Sequence, residues 1–372
     1  MRTHPLNNVA LAAVLVCSAL VCSTPALAQS SGSVQLYGSI TAAAVYKTNQ
    51  TGNTSIKELS NSLLAASYFG LRGSEDLGGG MSAVFRLESQ LATDTGNSGA
   101  TFAGVNKFWA RQSFVGLNLN PAVAITAGRQ FHAATDRVIR SLDVNNVAGT
   151  SLHSTPLALL GVNRFAGNDG RADDSVKLRL TLPGIQAGAS AGADDGAGRS
   201  YTLDVAHVTP TFTVAGWVAQ FNSPTVVAAT GHRPSYDTWG VGGNVLLGPV
   251  RLYLHYMDNK LEPTAINRVN QTNKMVHLGA NWMATEQTSI KLAHYQDDGK
   301  GLNGIVARDG KKTTDVLSAE YQLSKRSSVH VAATSNRFTG GYKLEAVNLA
   351  GLARDANASS TRTYSAGIRH DF

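Results

Sequence analysis

One short segment of the chain matches the motif that positions the nucleophile of a hydrolase. Residues 188–192 read G-A-S-A-G, and this G-x-S-x-G motif requires a strand, a sharp turn and a helix that leave the serine hydroxyl exposed. The segment lies instead in a run of small residues that ends at the D-D-G sequence 194–196, with no helical pattern after it. The match is typical of chance in a chain rich in Gly, Ala and Ser. An outer-membrane hydrolase stays an alternative that would depend on Ser190.

The other polar residues do not form a metal, phosphate or nucleic-acid motif. The histidines show no H-E-x-x-H spacing, and no Gly-rich loop precedes a Lys and Ser/Thr pair. The D-D-G sequences at 194–196 and 297–299 lack the twelve-residue calcium pattern and are typical of turns. The formal net charge is +7, but the basic residues are scattered. We therefore expect no metal, no cofactor, no nucleic-acid partner and no enzymatic activity.

The N-terminus has the layout of an export signal. Arg2 and His4 precede an apolar stretch at 9–21, and an A-x-A cleavage site follows at 26–28. We expect residues 1–28 to be removed, and both cysteines of the chain to leave with them. The exported chain, residues 29–372, would then contain no disulfide.

After residue 29, short segments repeat in which apolar and polar side chains alternate. The alternation is clearest at 251–258, 276–282, 317–323 and 363–372. A period of two places all side chains of one parity on one face of a β-strand. These segments therefore predict strands with one apolar and one polar face.

The connections between the predicted strands alternate in length. Tight turns such as 76–80 and 182–184 alternate with polar stretches such as 259–273 and 297–311. These turns and polar stretches divide the chain into sixteen predicted strands. Each strand with its connection then takes about 21 residues, which suits membrane strands of about 9–11 residues.

Two all-β folds fit this pattern. In a soluble exported sandwich the apolar face meets another sheet, and a core rich in large aromatic residues is expected, whereas only 7% of this chain is aromatic. In a membrane barrel the apolar face meets lipid, closure satisfies the backbone, and the interior can contain water. The export signal, the even strand number and the unequal connections favour a sixteen-stranded antiparallel transmembrane β-barrel. Its turns would be short on the periplasmic side and its loops long outside, and this size leaves an aqueous channel.

Several segments resemble the general diffusion porins of Gram-negative bacteria, in particular their β-proteobacterial branch. The resembling segments are 33–38 (SVQLYG), 67–88 (SYFGLRGSEDLGGGMSAVFRLE), 111–117 (RQSFVGL), 126–131 (TAGRQF), 171–177 (RADDSVK) and 367–372 (GIRHDF). The resemblance implies a porin in the Gram-negative outer membrane that lets small hydrophilic solutes and ions diffuse passively. A substrate-selective uptake channel of the same architecture is the alternative.

The resemblance also implies the partners of the chain. It implies a homotrimer with one pore in each subunit, embedded in outer-membrane lipid. The first strands would form the interface, and the small side chains Ala42 and Ala44 are consistent with close approach. The terminal Phe372 resembles the signal that is read by the barrel-insertion machinery.

A diffusion channel needs a narrow zone in which charges sort solutes by sign and size. Successive side chains of a strand point to opposite faces, so Arg72, Arg86 and Arg111 are predicted to point away from lipid. The neighbours predicted to face lipid are Phe69, Leu71, Phe85, Leu87 and Phe114. The resemblance places Arg72, Arg111 and Arg129 at basic positions of the family's constriction, whereas Arg86 depends on parity alone. Tyr68 stands where that family usually has an arginine.

The long third loop, residues 132–174, is predicted to fold into the pore. Its acidic side chains are candidates for a wall opposite the arginines: Asp136, Asp143, Asp169, Asp173 and Asp174. The alternatives are that these aspartates are turn residues facing solvent, and that the arginines pair with nearby carboxylates or line the periplasmic mouth of the channel. The positive net charge permits a mild preference for anions.

Overall fold

The computed structural model describes residues 32–61, 64–102, 105–145, 170–194 and 198–372. The predicted export signal, residues 1–28, lies outside the described residues. Strands dominate the described chain, and none of its helices is long and apolar enough to cross a membrane. The strands are β1 (Ser33–Gln50), β2 (Thr54–Ser60), β3 (Tyr68–Gly78), β4 (Met81–Gln90), β5 (Ala100–Phe102), β6 (Val105–Lys107), β7 (Gln112–Asn120), β8 (Val123–Phe131), β9 (Arg171–Leu182), β10 (Ile185–Asp194), β11 (Gly198–Val208), β12 (Phe212–Asn222), β13 (Ser235–Leu247), β14 (Val250–Leu261), β15 (Gln271–Met283), β16 (Thr288–Lys300), β17 (Gly310–Gln322), β18 (Ser327–Phe338) and β19 (Ser360–Asp371).

All strands except the β5–β6 hairpin form one antiparallel sheet that closes on itself. β1 pairs with β19 along one edge and with β2 and β3 along the other. β2 lies opposite residues 43–50 of β1, and β3 lies opposite residues 33–39. β2 and β3 are therefore two segments of a single strand, interrupted at 61–67. Counted in this way, the described sheet is a barrel of sixteen strands, as the sequence predicted.

The two faces of the barrel differ as the alternation predicted. Val34, Leu254 and Leu317 expose 67%, 57% and 50% of their surface on the outer face. Their neighbours His255 and Ser318 are buried on the inner face. An outer face of this kind is stable only against lipid, because large apolar patches are unfavourable in water.

One predicted face is wrong. Phe114 lies opposite Arg86 in the register of β7 on β4, so it shares the inner face, and Val115 is the exposed outer residue. The prediction counted parity from Arg111, but β7 begins only at Gln112. Alternation of faces does not hold before a strand begins.

The two ends of the barrel differ in the length of their connections. Gly78, Gly79 and Gly80 all take positive φ and close the short turn between β3 and β4, a conformation that glycine adopts without steric cost. At the other end the strands extend into stretches that were predicted as loops: β14 continues to Leu261 and β15 begins at Gln271. Polar side chains are tolerated there because the outer ends of the strands lie above the lipid.

The described start of the third loop, residues 132–145, packs against the inner wall of the barrel. It begins with a short helix, Ala133–Arg137, and a π-helical turn, Val138–Leu142, both mainly buried. β9 begins at Arg171, so the last residues of the predicted loop, 171–174, belong to a strand. Residues 146–169, including the candidate Asp169, lie outside the described residues.

Candidate pore constriction

The described part of the third loop packs on an apolar patch inside the barrel. Leu142 and Val144 are almost fully buried there. Together with Ala134 and Val138 they contact side chains from the inner face of β12 to β16, including Trp217, Phe221, Tyr236, Met257, Met275 and Tyr295. Gly279 leaves space for the loop, because a Cβ atom at this position would lie 2.8 Å from Val144 Cγ1. The inner wall is therefore apolar where the described loop covers it, whereas the sequence predicted only an interior that can contain water.

Charged groups fix the start of the loop to the wall. The Asp136 carboxylate accepts hydrogen bonds from Lys177 Nζ at 2.7 Å and Arg179 Nη2 at 3.2 Å. Arg137 Nε donates to Asp204 at 2.8 Å. Burial would raise the pKa of Asp136, but Lys177 and Arg179 outweigh it and hold this pKa below its ordinary value. Asp136 is therefore an ionised anchor of the loop.

Asp143 fixes the next part of the loop. Its Oδ1 atom accepts hydrogen bonds from the Tyr295 hydroxyl at 2.6 Å and from the Asn145 backbone N–H at 3.0 Å. His277 Nδ1 lies 3.1 Å from the Leu142 carbonyl oxygen. Burial raises the pKa of Asp143. Two of the predicted acidic candidates, Asp136 and Asp143, thus contact the wall of the barrel. Their partners lie on strands that are far away in sequence.

Arg72 and Arg86 lie side by side on the inner face of β3 and β4. They are opposite each other in the register, and their guanidinium carbons lie 4.8 and 5.8 Å from the centre of the Tyr37 ring. Arg72 also donates to Gln35 Oε1 at 2.8 and 3.0 Å. Within the described residues neither arginine forms an ion pair. Both predicted residues are therefore on the predicted face with their charge uncompensated.

Arg111 is held between a carboxylate and an aromatic ring. Its Nε atom lies 2.5 Å from Glu88 Oε1, and its guanidinium carbon lies 4.5 Å from the centre of the Tyr68 ring. Glu88 also accepts a hydrogen bond from Tyr37 at 2.9 Å. Tyr68, which stands where the family usually has an arginine, therefore supplies an aromatic ring that stabilises the Arg111 guanidinium.

The structure places Arg129 and Asp173 away from the other candidates. Arg129 lies opposite Ser113 of β7, whose face also carries the exposed Val115. Arg129 donates to the Ala110 carbonyl oxygen and to Asp173, each at 2.7 Å, and Asp173 also pairs with Lys107 of β6.

The alternation of β8 puts Arg129 on the same face as Val115 of β7, and a bulge in β9 lies beside Asp173. Asp174 has a φ of 44° where the register of β8 on β9 shifts, and its side chain is exposed. An extra residue in one strand redirects the neighbouring side chains. The resemblance alone predicted neither the face of Arg129 nor the bulge beside Asp173, so the assignment of these two residues to the constriction is corrected.

A cavity of about 280 Å³ lies between Asn145 of the third loop and the walls around Tyr68 and Glu320. We take this cavity as the candidate narrow zone of the channel, because the described end of the third loop faces the opposite wall there. Its other polar lining residues are Ser39, Arg111, Ser289, Lys291, Ser318, His330 and Arg369. Three cationic side chains, Arg111, Lys291 and Arg369, thus meet there with one carboxylate, Glu320.

The sequence-based prediction missed Lys291 and Arg369. Each alternates with outward apolar neighbours, Leu292 and Ile368 respectively, and this parity could have identified them. Arg369 forms an ion pair with Asp371 at 2.9 Å. No ion pair of Lys291 occurs among the described residues.

The chain matches proteins of one kind over most of its length. Residues 10–341 match the family model described as Gram-negative porin. The chain is 25% identical to outer membrane porin protein 32 of Delftia acidovorans, over 96% of this chain and 99% of that protein. It is 32% identical to an outer membrane porin protein of Bordetella pertussis over 32% of this chain and 34% of that protein.

Solved structures share the architecture. The structure of an anion-selective porin from Comamonas acidovorans superimposes with a TM-score of 0.75 at 22% identity, covering 92% of this chain and 100% of that chain. An OmpT structure from Vibrio cholerae, described as a trimer form, gives 0.69 at 14% identity, covering 92% and 99%. With its closed barrel, apolar outer face and polar narrow zone, the chain belongs to the Gram-negative porin family and forms a diffusion channel in the outer membrane.

Proposed function

We propose that this porin passes small hydrophilic solutes and ions passively and that it favours anions. The observation that carries the proposal is positive charge in the lumen that has no counter-ion: Lys291 in the narrow zone, and Arg72 and Arg86 beside it, form no ion pair among the described residues. Arg111 and Arg369 are paired with Glu88 and Asp371. Asp136 does not offset these charges in the channel, because Lys177 and Arg179 bind it at the wall. The relative from Comamonas acidovorans, described as an anion-selective porin, agrees with this proposal.

The uncompensated charges below the narrow zone act in the same direction. Arg72 and Arg86 extend the basic face along the lumen. Low-dielectric walls concentrate the field of such charges and raise the local concentration of oppositely charged ions. A solute therefore meets positive potential over a length of the channel, and not only at one ring.

Recordings in a planar bilayer with a salt gradient test the proposal. We expect a reversal potential of the sign that indicates anion preference, and a preference that weakens as the ionic strength rises. A reversal potential of the opposite sign would overturn it. Block of the current by one solute class, and not by others of similar size, would favour a selective uptake channel.

The proposal includes no covalent chemistry. Ser190 lies within the continuous strand β10 and is nearly buried. Its Oγ atom accepts a hydrogen bond from the Ala133 backbone N–H at 3.0 Å and lies 2.9 Å from Thr202 Oγ1. These contacts support a structural role for Ser190 in seating the third loop. A Ser190→Ala variant that lost an esterase activity of the wild-type protein would contradict this.

We also propose that three copies associate through the outer face of the first strands. Ala42 and Ala44 lie opposite Ile368 and Ala366 across the β1–β19 seam and leave a shallow surface for a second copy. The trimer form described for the Vibrio cholerae protein agrees with this assembly. Current steps in multiples of three are expected, and an Ala44→Arg variant should dissociate the trimer. Unchanged steps in that variant would contradict the interface.

A further inference from the structure

Two arginines of the inner wall face each other without a counter-ion. Arg72 of β3 lies directly opposite Arg86 of β4 in the register. Like charges at directly opposite positions repel each other and destabilise a sheet. Within the described residues neither guanidinium forms an ion pair, and both are accessible from the lumen, Arg72 being exposed and Arg86 half-buried. The described chain therefore leaves this repulsion unrelieved.

One aromatic ring holds both guanidiniums. Their carbon atoms lie 4.8 Å (Arg72) and 5.8 Å (Arg86) from the centre of the Tyr37 ring. The ring occupies space above Gly70, where a Cβ atom would lie 3.2 Å from Tyr37 Cε1. The Tyr37 hydroxyl donates to Glu88 Oε2 at 2.9 Å, which fixes the far end of the ring. Tyr37 is therefore a positioning residue that brings the two cations together.

The carboxylates of β3 and β4 do not neutralise the two arginines. Glu88 binds Arg111 at 2.5 Å and Tyr37 at 2.9 Å. Asp76 accepts a hydrogen bond from a backbone N–H of the following turn at 2.9 Å. Glu75 alternates onto the outer face. An anion that enters from solution can therefore act as the counter-ion.

The two arginines lie apart from the narrow zone. Arg72 is four residues closer to the short turn than Tyr68, which lines the narrow zone. At a rise of about 3.3 Å per residue, this is a separation of about 13 Å along the wall. The Debye length is shorter, at about 8 Å in physiological salt. Binding at the two arginines can therefore be measured separately from the effect of Lys291.

We propose that Arg72 and Arg86 form a binding site for a small, doubly charged oxyanion, the class that includes sulfate and inorganic phosphate. The inference rests on the proposed preference for anions, because the ligand must enter the lumen to reach the site. Two negative charges balance both guanidiniums, whereas a monovalent anion would leave one positive charge uncompensated.

The hydrogen-bond donors suit an oxyanion. A guanidinium can donate two parallel hydrogen bonds to the oxygens of such an ion. Arg72 donates to Gln35 through Nε and Nη2 and keeps Nη1 for a ligand, whereas Arg86 forms no hydrogen bond among the described residues. Phe114 lies on the other side of Arg86 in the register of β7. The Tyr37 and Phe114 rings provide a wall of low dielectric, which strengthens the attraction.

Chloride currents through single channels, recorded while sulfate is added at constant chloride concentration, test the proposal. Sulfate bound at the two arginines would slow the passage of chloride. We expect the current to fall and then to level off as the site fills. In Arg86→Gln the half-saturating sulfate concentration should rise about tenfold, which corresponds to about 1.4 kcal/mol. A decline without saturation, or the same half-saturation in Arg86→Gln and the wild type, would overturn the proposal.

Lys291→Gln is the matched control, since it removes one cation of the lumen and leaves the two arginines in place. This variant should reduce the anion preference in a salt gradient while its half-saturation by sulfate stays close to that of the wild type. An equal rise in Lys291→Gln and Arg86→Gln would show that sulfate responds to total charge, and the inference would fail. Cation preference of the wild-type channel would instead overturn the proposed function itself.

Two changes of Tyr37 test the shared ring. Tyr37→Phe keeps the ring and removes only the hydrogen bond to Glu88, so sulfate should still bind nearly as in the wild type. Tyr37→Leu removes the ring, and the half-saturating concentration should rise as it does in Arg86→Gln. The heat-dependent shift of gel mobility verifies that each variant is folded. Normal sulfate binding by Tyr37→Leu would contradict the positioning role of the ring.

Discussion

Lys291 differs from the other two cations of the narrow zone in its ion pairing. Arg111 is paired with Glu88 and Arg369 with Asp371, whereas Lys291 has no ion pair among the described residues. A paired cation contributes little to the field in the channel, because its counter-ion cancels most of it at a distance. Selectivity should therefore depend more on Lys291 than on the more numerous paired arginines.

Replacement of Lys291 by glutamate should weaken or reverse the preference for anions. The change alters the charge of the narrow zone by two units, and charges in a low-dielectric cleft change local ion concentrations by about tenfold or more. The reversal potential in a salt gradient measures the effect, which should be largest at low salt. Lys274→Glu is the control, since Lys274 lies on the outer wall opposite Asp258. An equal shift in both variants would show that total charge, and not the narrow zone, sets selectivity.

Asp136 should hold the third loop over a wide range of pH. Its pKa is below the ordinary value, so its contribution is present at and above the pKa of an unfolded aspartate and is lost only as pH falls through the lowered pKa. Loop-dependent current fluctuations should therefore remain low to below about pH 4.

The Asp136→Asn variant should lose this anchor at every pH. Lys177 would lose its carboxylate partner while remaining largely buried, and breaking a buried pair in this way costs about 3 kcal/mol or more. We expect larger fluctuations of the open-channel current at neutral pH. Asp174→Asn, which changes an exposed aspartate, should behave as the wild type does. Quiet channels in Asp136→Asn would show that the other contacts suffice to seat the loop.

At the level of elements, the third loop and the wall of β12 to β16 form one packed unit inside the barrel. The loop supplies small and branched apolar side chains, and the strands supply aromatic and methionine side chains. This packing determines which part of the lumen stays open, because the described loop packs on β12 to β16 whereas Arg72 and Arg86 lie on β3 and β4. The shape of the channel is therefore a consequence of where the loop finds apolar contacts.

A Gly279→Val variant should displace the loop toward the open side of the lumen. The new side chain would overlap Val144, and overpacking of this kind costs about 1–3 kcal/mol. We expect a lower single-channel conductance with unchanged assembly. Gly216→Val is a suitable control, since the nearest atom to a Cβ atom at that position is 3.7 Å away. A normal conductance in Gly279→Val would mean that the loop adjusts without narrowing the pore.

At the level of the whole molecule, closure of the barrel depends on the meeting of its two ends. The backbone N–H of Gly38 donates to the Phe372 carbonyl oxygen at 3.1 Å, and the Phe372 N–H donates to the Gly38 carbonyl oxygen at 3.0 Å. The last residue of the chain therefore extends the β1–β19 seam. A membrane barrel has no alternative partners for these groups within the hydrocarbon region.

Two changes at Phe372 separate closure from the proposed insertion signal. Deletion of Phe372 removes both hydrogen bonds, at about 1 kcal/mol each, and should lower the temperature at which the barrel unfolds in detergent. Phe372→Ala keeps the backbone bonds, so refolding in detergent should remain near normal while the amount assembled in cells falls. Gel mobility with and without heating measures both. Normal assembly of Phe372→Ala in cells would contradict a role for the aromatic ring in insertion.

The sequence by itself determined that the chain closes into a barrel of sixteen strands with an apolar outer face. Period-two alternation and the turn residues are local signals, and each strand carries its own copy of them, so errors such as Phe114 stay confined to one strand end. The resemblance in residues 67–88 then indicated the family. Those signals also placed Arg72 and Arg86 correctly on the inner face.

Only the tertiary structure decided which charges the channel presents. Asp136 and Asp143 carry the residue type of a pore-lining acid, but Lys177 and Tyr295 bind them to the wall. The alternation of β8 keeps Arg129 away from the narrow zone, and Lys291 lies there on a strand 180 residues later in the chain than Arg111. The physical reason is that the field in a channel depends on uncompensated charge. Compensation depends on distances between residues far apart in sequence, and the register and the course of the loop set those distances.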